Sequence, residues 1–241
     1  MDETPDPQVT RVVEDYLPLI WKAFEWPGGT PTTTDLASRL GVTASTVSAT
    51  LKKLARDGFI VYEPYGAIEL TEPGRRVAVE IVRRHRILET YLHQQLGLPW
   101  DEVHAEADRL EHAVSDTVLA RMHEVLGHPS SDPHGDPIPD ADGTLAADRS
   151  RALTDVAPGT AVRVERVSDR SSELLRYLNG LGIGIGTQLR VEEVSTEAGA
   201  IAVTLAGVPI QLTLRAAGAV RVLPAANSDQ SPQPRSNPGL P

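Results

Sequence analysis

Between Thr30 and Leu70 the sequence leaves little choice of fold. Thr34-Asp35 reads as the cap of a short helix (Leu36, Ala37, Leu40) that stops at Gly41. A three-residue turn, Val42-Thr43-Ala44, leads into a second helix over about Ser45–Asp57, with Val47, Leu51 and Leu54 as its inner face and Gly58 at its end. Phe59-Ile60-Val61-Tyr62, the turn Pro64-Tyr65-Gly66, and Ala67-Ile68-Glu69-Leu70 then predict a hairpin. Helix, tight turn, helix and hairpin make a winged helix-turn-helix. The outer face of the second helix would present Thr43, Ser45, Thr46, Ser48, Ala49, Thr50, Lys52 and Lys53, with Thr34 nearby on the first. Small hydroxyls with lysines can approach base edges and phosphates closely, so DNA is the expected partner; a winged helix used for protein contacts is the alternative.

The rest of the chain follows in segments. Val9–Phe24 has apolar residues at steps of three and four and predicts an amphipathic helix containing Pro18, ended by Trp26-Pro27-Gly28-Gly29. Thr71-Glu72-Pro73-Gly74 opens a long helix to about Leu96, broken by Gly97-Leu98-Pro99. Asp101–Leu126 reads as two helices meeting near Ala113–Ser115, and its apolar stripes call for a partner surface such as a symmetric dimer. Gly127–Ser150, rich in Pro, Gly and Asp, reads as linker. Leu153–Leu223 carries about five short strands and one short helix over Ser172–Asn179, the pattern of a small β-barrel. Residues 1–8 and the low-complexity tail from Ala225 are expected to be disordered.

One stretch is chemically unusual. His85 and Glu89 lie four apart, and His104, Asp108, Glu111 and His112 follow at helical spacing, so each set shares a face. Two imidazoles and two carboxylates are costly to bury unpaired. They form either a solvated acidic face or a set of N/O ligands for a divalent metal. Thiolate sites are excluded, because the chain has no cysteine. The absence of cysteine, of a signal peptide and of any 18-residue apolar run points to a cytoplasmic protein. The formal charge of −10 argues at first against DNA. However, 28–86 holds nine Lys/Arg against six Asp/Glu, whereas 101–149 holds twelve acids against three arginines. That division suits a protein that meets a polyanion with one part and cations with another.

Together these features resemble the diphtheria toxin repressor family of metal-dependent regulators, closest to its manganese-responsive branch. The resemblance is carried by Val13-Glu14-Asp15-Tyr16-Leu17, Thr46-Val47-Ser48, Arg56-Asp57-Gly58, Leu70-Thr71 and Arg84-His85-Arg86-Ile87-Leu88-Glu89. Val103-His104, Glu106-Ala107, Leu110-Glu111-His112, Ser115-Asp116 and Pro133-His134-Gly135-Asp136-Pro137-Ile138-Pro139 complete it. It covers about residues 8 to 223. It implies a primary metal site on Asp15, Asp108, Glu111 and His112. An ancillary site would fall on His85, Glu89 and His104, to which Asp169 or Glu173 would add a carboxylate. Iron-responsive relatives hold the positions of Asp15 and Asp108 with methionine and cysteine; two hard oxygen donors here favour Mn²⁺. Fe²⁺ is the alternative, and Co²⁺ or Zn²⁺ would also bind in vitro. Pro18 stands where some manganese-responsive relatives have a glutamate that helps to form a closely spaced metal pair, so two separated sites are expected. Ala49 replaces a longer polar residue at a base-contacting position.

The expected architecture is mainly α: a winged helix-turn-helix over 8–74, a helical metal-binding and dimerisation domain over 75–140, a linker over 141–152, an SH3-like (FeoA-like) β-barrel over 153–224 and a tail over 225–241. The expected function is metal-dependent repression of metal-uptake genes by a homodimer bound to palindromic promoter DNA, with no membrane partner. A winged-helix regulator sensing an organic ligand around a structural metal is the alternative. A metallohydrolase is disfavoured, because no second catalytic constellation accompanies the ligands. The barrel alone would also suit a protein-interaction or polyproline-binding module.

Overall fold

The computed structural model describes residues 9–26, 29–63, 66–140 and 142–225. The expectations of disorder at 1–8 and in the tail beyond 225, the Pro27-Gly28 stop and the Pro64-Tyr65 turn lie outside the described residues. The chain divides into two compact units between Ala147 and Asp148.

The first unit begins with α1 (Arg11–Phe24), which buries Val13, Tyr16, Leu17, Ile20 and Trp21 and accommodates Pro18 within the helix. α2 (Thr33–Leu40) follows, capped by the Thr32 hydroxyl accepting from the Asp35 N–H at 3.1 Å; the cap is Thr32 rather than Thr34. Gly41 ends α2 at φ 65°, a left-handed conformation that favours glycine. α3 (Ala44–Arg56) is capped by Thr43, and its buried face is Val47, Leu51 and Leu54. Strands β1 (Ile60–Tyr62) and β2 (Ile68–Leu70) pair antiparallel with Ile60 opposite Leu70.

α4 (Glu72–Leu96) is the spine of this unit. Its first turn presses on the wing: a Cβ on Gly74 would lie 1.9 Å from the Phe59 carbonyl oxygen, so only glycine fits. Ala78, Val79 and Val82 of α4 complete a core with α1, α2, α3 and the wing. Further along, Ile87, Leu88 and Leu92 form a second core with Val103, Ala107, Leu119 and Ile138. One rigid helix therefore links the DNA-reading elements to the following helical layer, α5 (Val103–Leu110) and α6 (Asp116–Val125, capped by Ser115). α5 stops at Leu110, so Glu111 and His112 sit in the turn beyond it rather than on the continuous stripe that their spacing suggested.

Residues 127–140 are a folded part of this unit, which corrects their reading as linker. Asp132, His134, Asp136 and Ile138 are buried, and Ser131 pairs with Pro137. The Asp132 carboxylate ties the turn by accepting from the His134 and Asp136 N–H groups at 2.8 and 2.9 Å. Within the stretch 141–152, Leu145 packs on the first core, while Asp148 and Ser150 belong to the second unit.

The second unit is a six-stranded antiparallel sheet of SH3-like type: β3 (Arg151–Ala152), β4 (Ala161–Val167), β5 (Gln188–Ser195), β6 (Ala200–Leu205), β7 (Val208–Thr213) and β8 (Val220–Pro224), in the order β3-β8-β4-β5-β6-β7. Two helices join it, α7 (Ser172–Gly180) and α8 (Leu214–Gly218). Alternate residues Val162 and Val164, Leu189 and Val191, and Ile201 and Val203 are buried, as strand periodicity requires.

Candidate metal centre and nucleic-acid interface

The ligand-type side chains of the first unit form one continuous polar network. Glu89, at 0% exposure, holds His85 Nε2 and His104 Nδ1 on its Oε1 at 2.9 and 3.0 Å, and the two nitrogens are 3.0 Å apart. On its other ring atom, His85 Nδ1 lies 2.7 Å from Glu111 Oε2 and 3.4 Å from Asp108 Oδ1. Glu111 Oε1 lies 3.5 Å from His112 Nε2, which lies 3.3 Å from Asp15 Oδ1. Asp15, Glu111 and His112 are thus together. Asp108 sits between His85 and His104, with its Oδ1 3.4 Å from His85 Nδ1 and its Oδ2 3.8 Å from His104 Nε2. The two sets that the resemblance kept apart are joined here through Glu111 and His85.

The electrostatics fit a cation site. Burial works against protonating His85, but the charge of Glu89 and the hydrogen bonds that the ring donates to Glu111 and Glu89 outweigh it and raise its pKa. Burial would raise Glu89, yet His85, His104 and His134 hold its carboxyl well below the usual range. Asp15 is raised by burial and by Glu111, against the pull of His112 and Arg11. Carboxylates here rely on imidazoles for counter-charge, a role that a divalent ion fills at lower proton cost.

Two further residues, which periodicity did not mark as ligands, belong to this cluster. Ligand atoms of Glu89, Asp132 and His134 all lie within 4.8 Å of one another, and all three side chains are buried. Glu89 Oε2 and His134 Nδ1 face each other at 3.9 Å, and neither has a hydrogen-bond partner. His134 Nε2 donates to the Trp100 carbonyl at 2.7 Å, which turns Nδ1 toward Glu89. Two buried polar atoms left without hydrogen bonds are costly, and a cation beside Glu89 Oε2 would offset that cost. Their only signal in the sequence was a histidine between aspartates in a proline-rich run.

Beside the cluster, Arg86 is fully buried. It donates to Glu25 Oε2 and the Pro137 carbonyl, both at 2.6 Å, and stacks over Trp21 at 5.4 Å. Asp136, Glu25 and Asp132 hold its pKa up despite burial. Asp169 and Glu173 lie in the second unit, half-buried before α7 and exposed in its first turn respectively.

The residues expected to face DNA lie on and around α2 and α3. Thr34, Thr43, Ser45, Thr46, Ala49, Lys52 and Lys53 are exposed, and Ser48 and Thr50 are partly so. The Thr43 hydroxyl serves the helix start, accepting from the Thr46 N–H at 3.2 Å and pairing with the Ser45 hydroxyl at 2.8 Å. Lys52 and Lys53 project from the face opposite the buried stripe.

Known proteins share this plan. Residues 8–68 match the iron-dependent repressor N-terminal DNA-binding domain, 71–140 the iron-dependent repressor metal-binding and dimerisation domain, and 151–224 the FeoA domain. The iron-dependent repressor IdeR of Mycobacterium leprae is 34% identical over 207 residues, covering 80% of this chain and 88% of that protein. The diphtheria toxin repressor of Corynebacterium efficiens is 36% identical over 220 residues, covering 87% and 94%. Among solved structures, a manganese-dependent transcriptional repressor in complex with manganese matches with a TM-score of 0.84 and 45% identity over 88% of this chain and 99% of that one. The manganese regulator SloR matches with a TM-score of 0.77 and 30% identity, over 88% and 98%. The chain belongs to the diphtheria toxin repressor family, on its manganese-responsive side, and is a metal-dependent, DNA-binding transcriptional repressor rather than an enzyme.

Proposed function

We propose that this repressor responds to Mn²⁺, acts as a cytoplasmic homodimer on palindromic promoter DNA, and shuts off genes for metal uptake. The observation that carries the reading is the contact of Asp15 with His112. α1 buries one face in the core that holds the recognition helix α3, and offers Asp15 to the turn beyond α5. A divalent ion would supply, at that contact, the positive charge that the carboxylates lack. Asp15, Glu111 and His112 would hold it, with Asp108 as a further candidate. His85, Glu89 and His104 would make up a second centre, extended by Asp132 and His134. Both centres can be built from the first unit alone.

Oxygen and imidazole donors without sulfur favour Mn²⁺, and Fe²⁺ is the closest competitor. With α1 fixed against the α5 turn, the wing and α3 keep one orientation on α4. Two protomers can then address major grooves one helical turn apart. Exposed Leu96, Val118 and Val125 on the ends of α4 and on α6 suit a partner protomer. Among the described residues no helix is long and apolar enough to cross a membrane.

Footprinting on promoters of metal-uptake genes tests this reading. Mn²⁺-dependent protection of two half-sites related by a dyad is the expected result. Equal protection after chelation, or protection without a dyad, would overturn it.

A further inference from the structure

We infer that Glu14 is a positioning residue for the metal centre: it fixes the ring and tautomer of His112 so that Nε2 presents its lone pair to the ion. This rests on the assignment of Asp15, Glu111 and His112 to a metal site. His112 is 11% exposed in its side chain, and its two nitrogens face different surroundings. Nδ1 lies 2.8 Å from Glu14 Oε2, a short hydrogen bond in which the ring donates and the carboxylate accepts. Nε2 faces Asp15 Oδ1 at 3.3 Å and Glu111 Oε1 at 3.5 Å. Two carboxylates, Asp15 and Glu111, face Nε2 and one, Glu14, faces Nδ1, so the ion belongs with Nε2 and Glu14 with the proton.

A neutral imidazole carries one N–H. By accepting it at Nδ1, Glu14 keeps Nε2 unprotonated, and its negative charge makes the ring a better electron donor. Glu14 and Asp15 are adjacent on α1, so the same helix that supplies a ligand also aligns the ligand contributed by the α5 turn. His134 is oriented by a different acceptor: the Trp100 carbonyl accepts a hydrogen bond from its Nε2–H and leaves Nδ1 facing Glu89.

The test compares wild type, Asp15→Ala, Glu14→Ala and Glu14→Gln in the full chain. Mn²⁺ affinity is read by calorimetry and the His112 tautomer by nitrogen NMR on metal-free protein. Glu14→Ala should weaken Mn²⁺ binding at the Asp15 site by roughly 10–100-fold, the usual effect of losing such an orienting partner. It should also move the His112 proton off Nδ1. Glu14→Gln keeps an acceptor oxygen and should lie between Glu14→Ala and wild type on both readouts, which a merely folding-related loss would not produce. If Asp15→Ala abolishes binding at that site but both Glu14 variants match wild type in affinity and tautomer, the positioning role is overturned and the site stands. If Asp15→Ala leaves binding intact, the site assignment itself fails, and the inference with it.

Discussion

The two units bury charge in opposite ways. In the second, Asp148 accepts from Arg166 at 2.7 Å and lies 3.2 Å from Arg221 Nε, while the Ser150 hydroxyl donates to Asp148 at 2.5 Å and accepts from Arg221 at 2.8 Å. Carboxylate, hydroxyl and guanidinium groups neutralise one another within the fold. In the first unit, Asp132 and Asp136 face the buried guanidinium of Arg86, whereas the buried carboxylates of Glu89 and Glu111 lie against the imidazoles of His85, His104 and His112. Glu89 Oε2 and His134 Nδ1 are left facing each other without hydrogen bonds. A carboxylate matched to two guanidinium groups is structural, because the chain itself supplies its counter-charge. An acid-rich cluster with orphaned lone pairs gains from a cation, and can therefore report whether one is present.

This contrast can be broken by experiment. The largest effect expected is on the response to metal. Mn²⁺ at a hundredfold excess over its Kd should stabilise the first unit by about 2.7 kcal/mol for each centre filled, and Glu89→Gln should remove the share of the centre that Glu89 helps to build, in thermal unfolding followed with and without Mn²⁺. Arg166→Met should cost the second unit about 2 kcal/mol in denaturant unfolding. That is below the roughly 3–5 kcal/mol of a fully buried broken pair, because Asp148 is 25% exposed and keeps Arg221. The same variant should leave Mn²⁺ affinity unchanged. Ser150→Ala should cost about 1 kcal/mol, the scale of one hydrogen-bonded group, again in the second unit.

The smallest effect is in pH. Burial opposes ionisation of Asp148, but Ser150 and Arg166 outweigh it and lower its pKa. A carboxylate lowered in the folded state contributes stability that is present above its unfolded value, the ordinary 3.8, and is lost as pH falls through the folded one. The second unit should therefore weaken on acidification below about pH 4, a midpoint shift that Asp148→Asn abolishes.

The same contrast explains how much could be read from sequence. α3, the wing and the strands of the second unit each bury one face, and Val47, Leu51 and Leu54, or Val162 and Val164, mark that face by their period. His85, Glu89 and His104 were legible as ligand types because imidazoles and carboxylates recur there at helical spacing. Asp132 and His134 were not, since a proline-rich segment carries no period to signal burial; their burial comes from Asp132 capping its own turn and from packing against α4. The role of Glu14 was equally hidden. It lies on a helix among other acids, and only the fold brings it to His112, 98 residues away. Asp108 lies one turn beyond His104 on α5, and only the packing of α5 on α4 brings it to His85 as well.

The most direct measurement is fluorescence anisotropy on native promoter DNA, with and without free Mn²⁺, for wild type and His112→Ala. The account predicts at least tenfold tighter binding with Mn²⁺, about 1.4 kcal/mol of coupling, and the loss of that gain in the variant. Equal binding by the metal-free and metal-loaded wild type would contradict it.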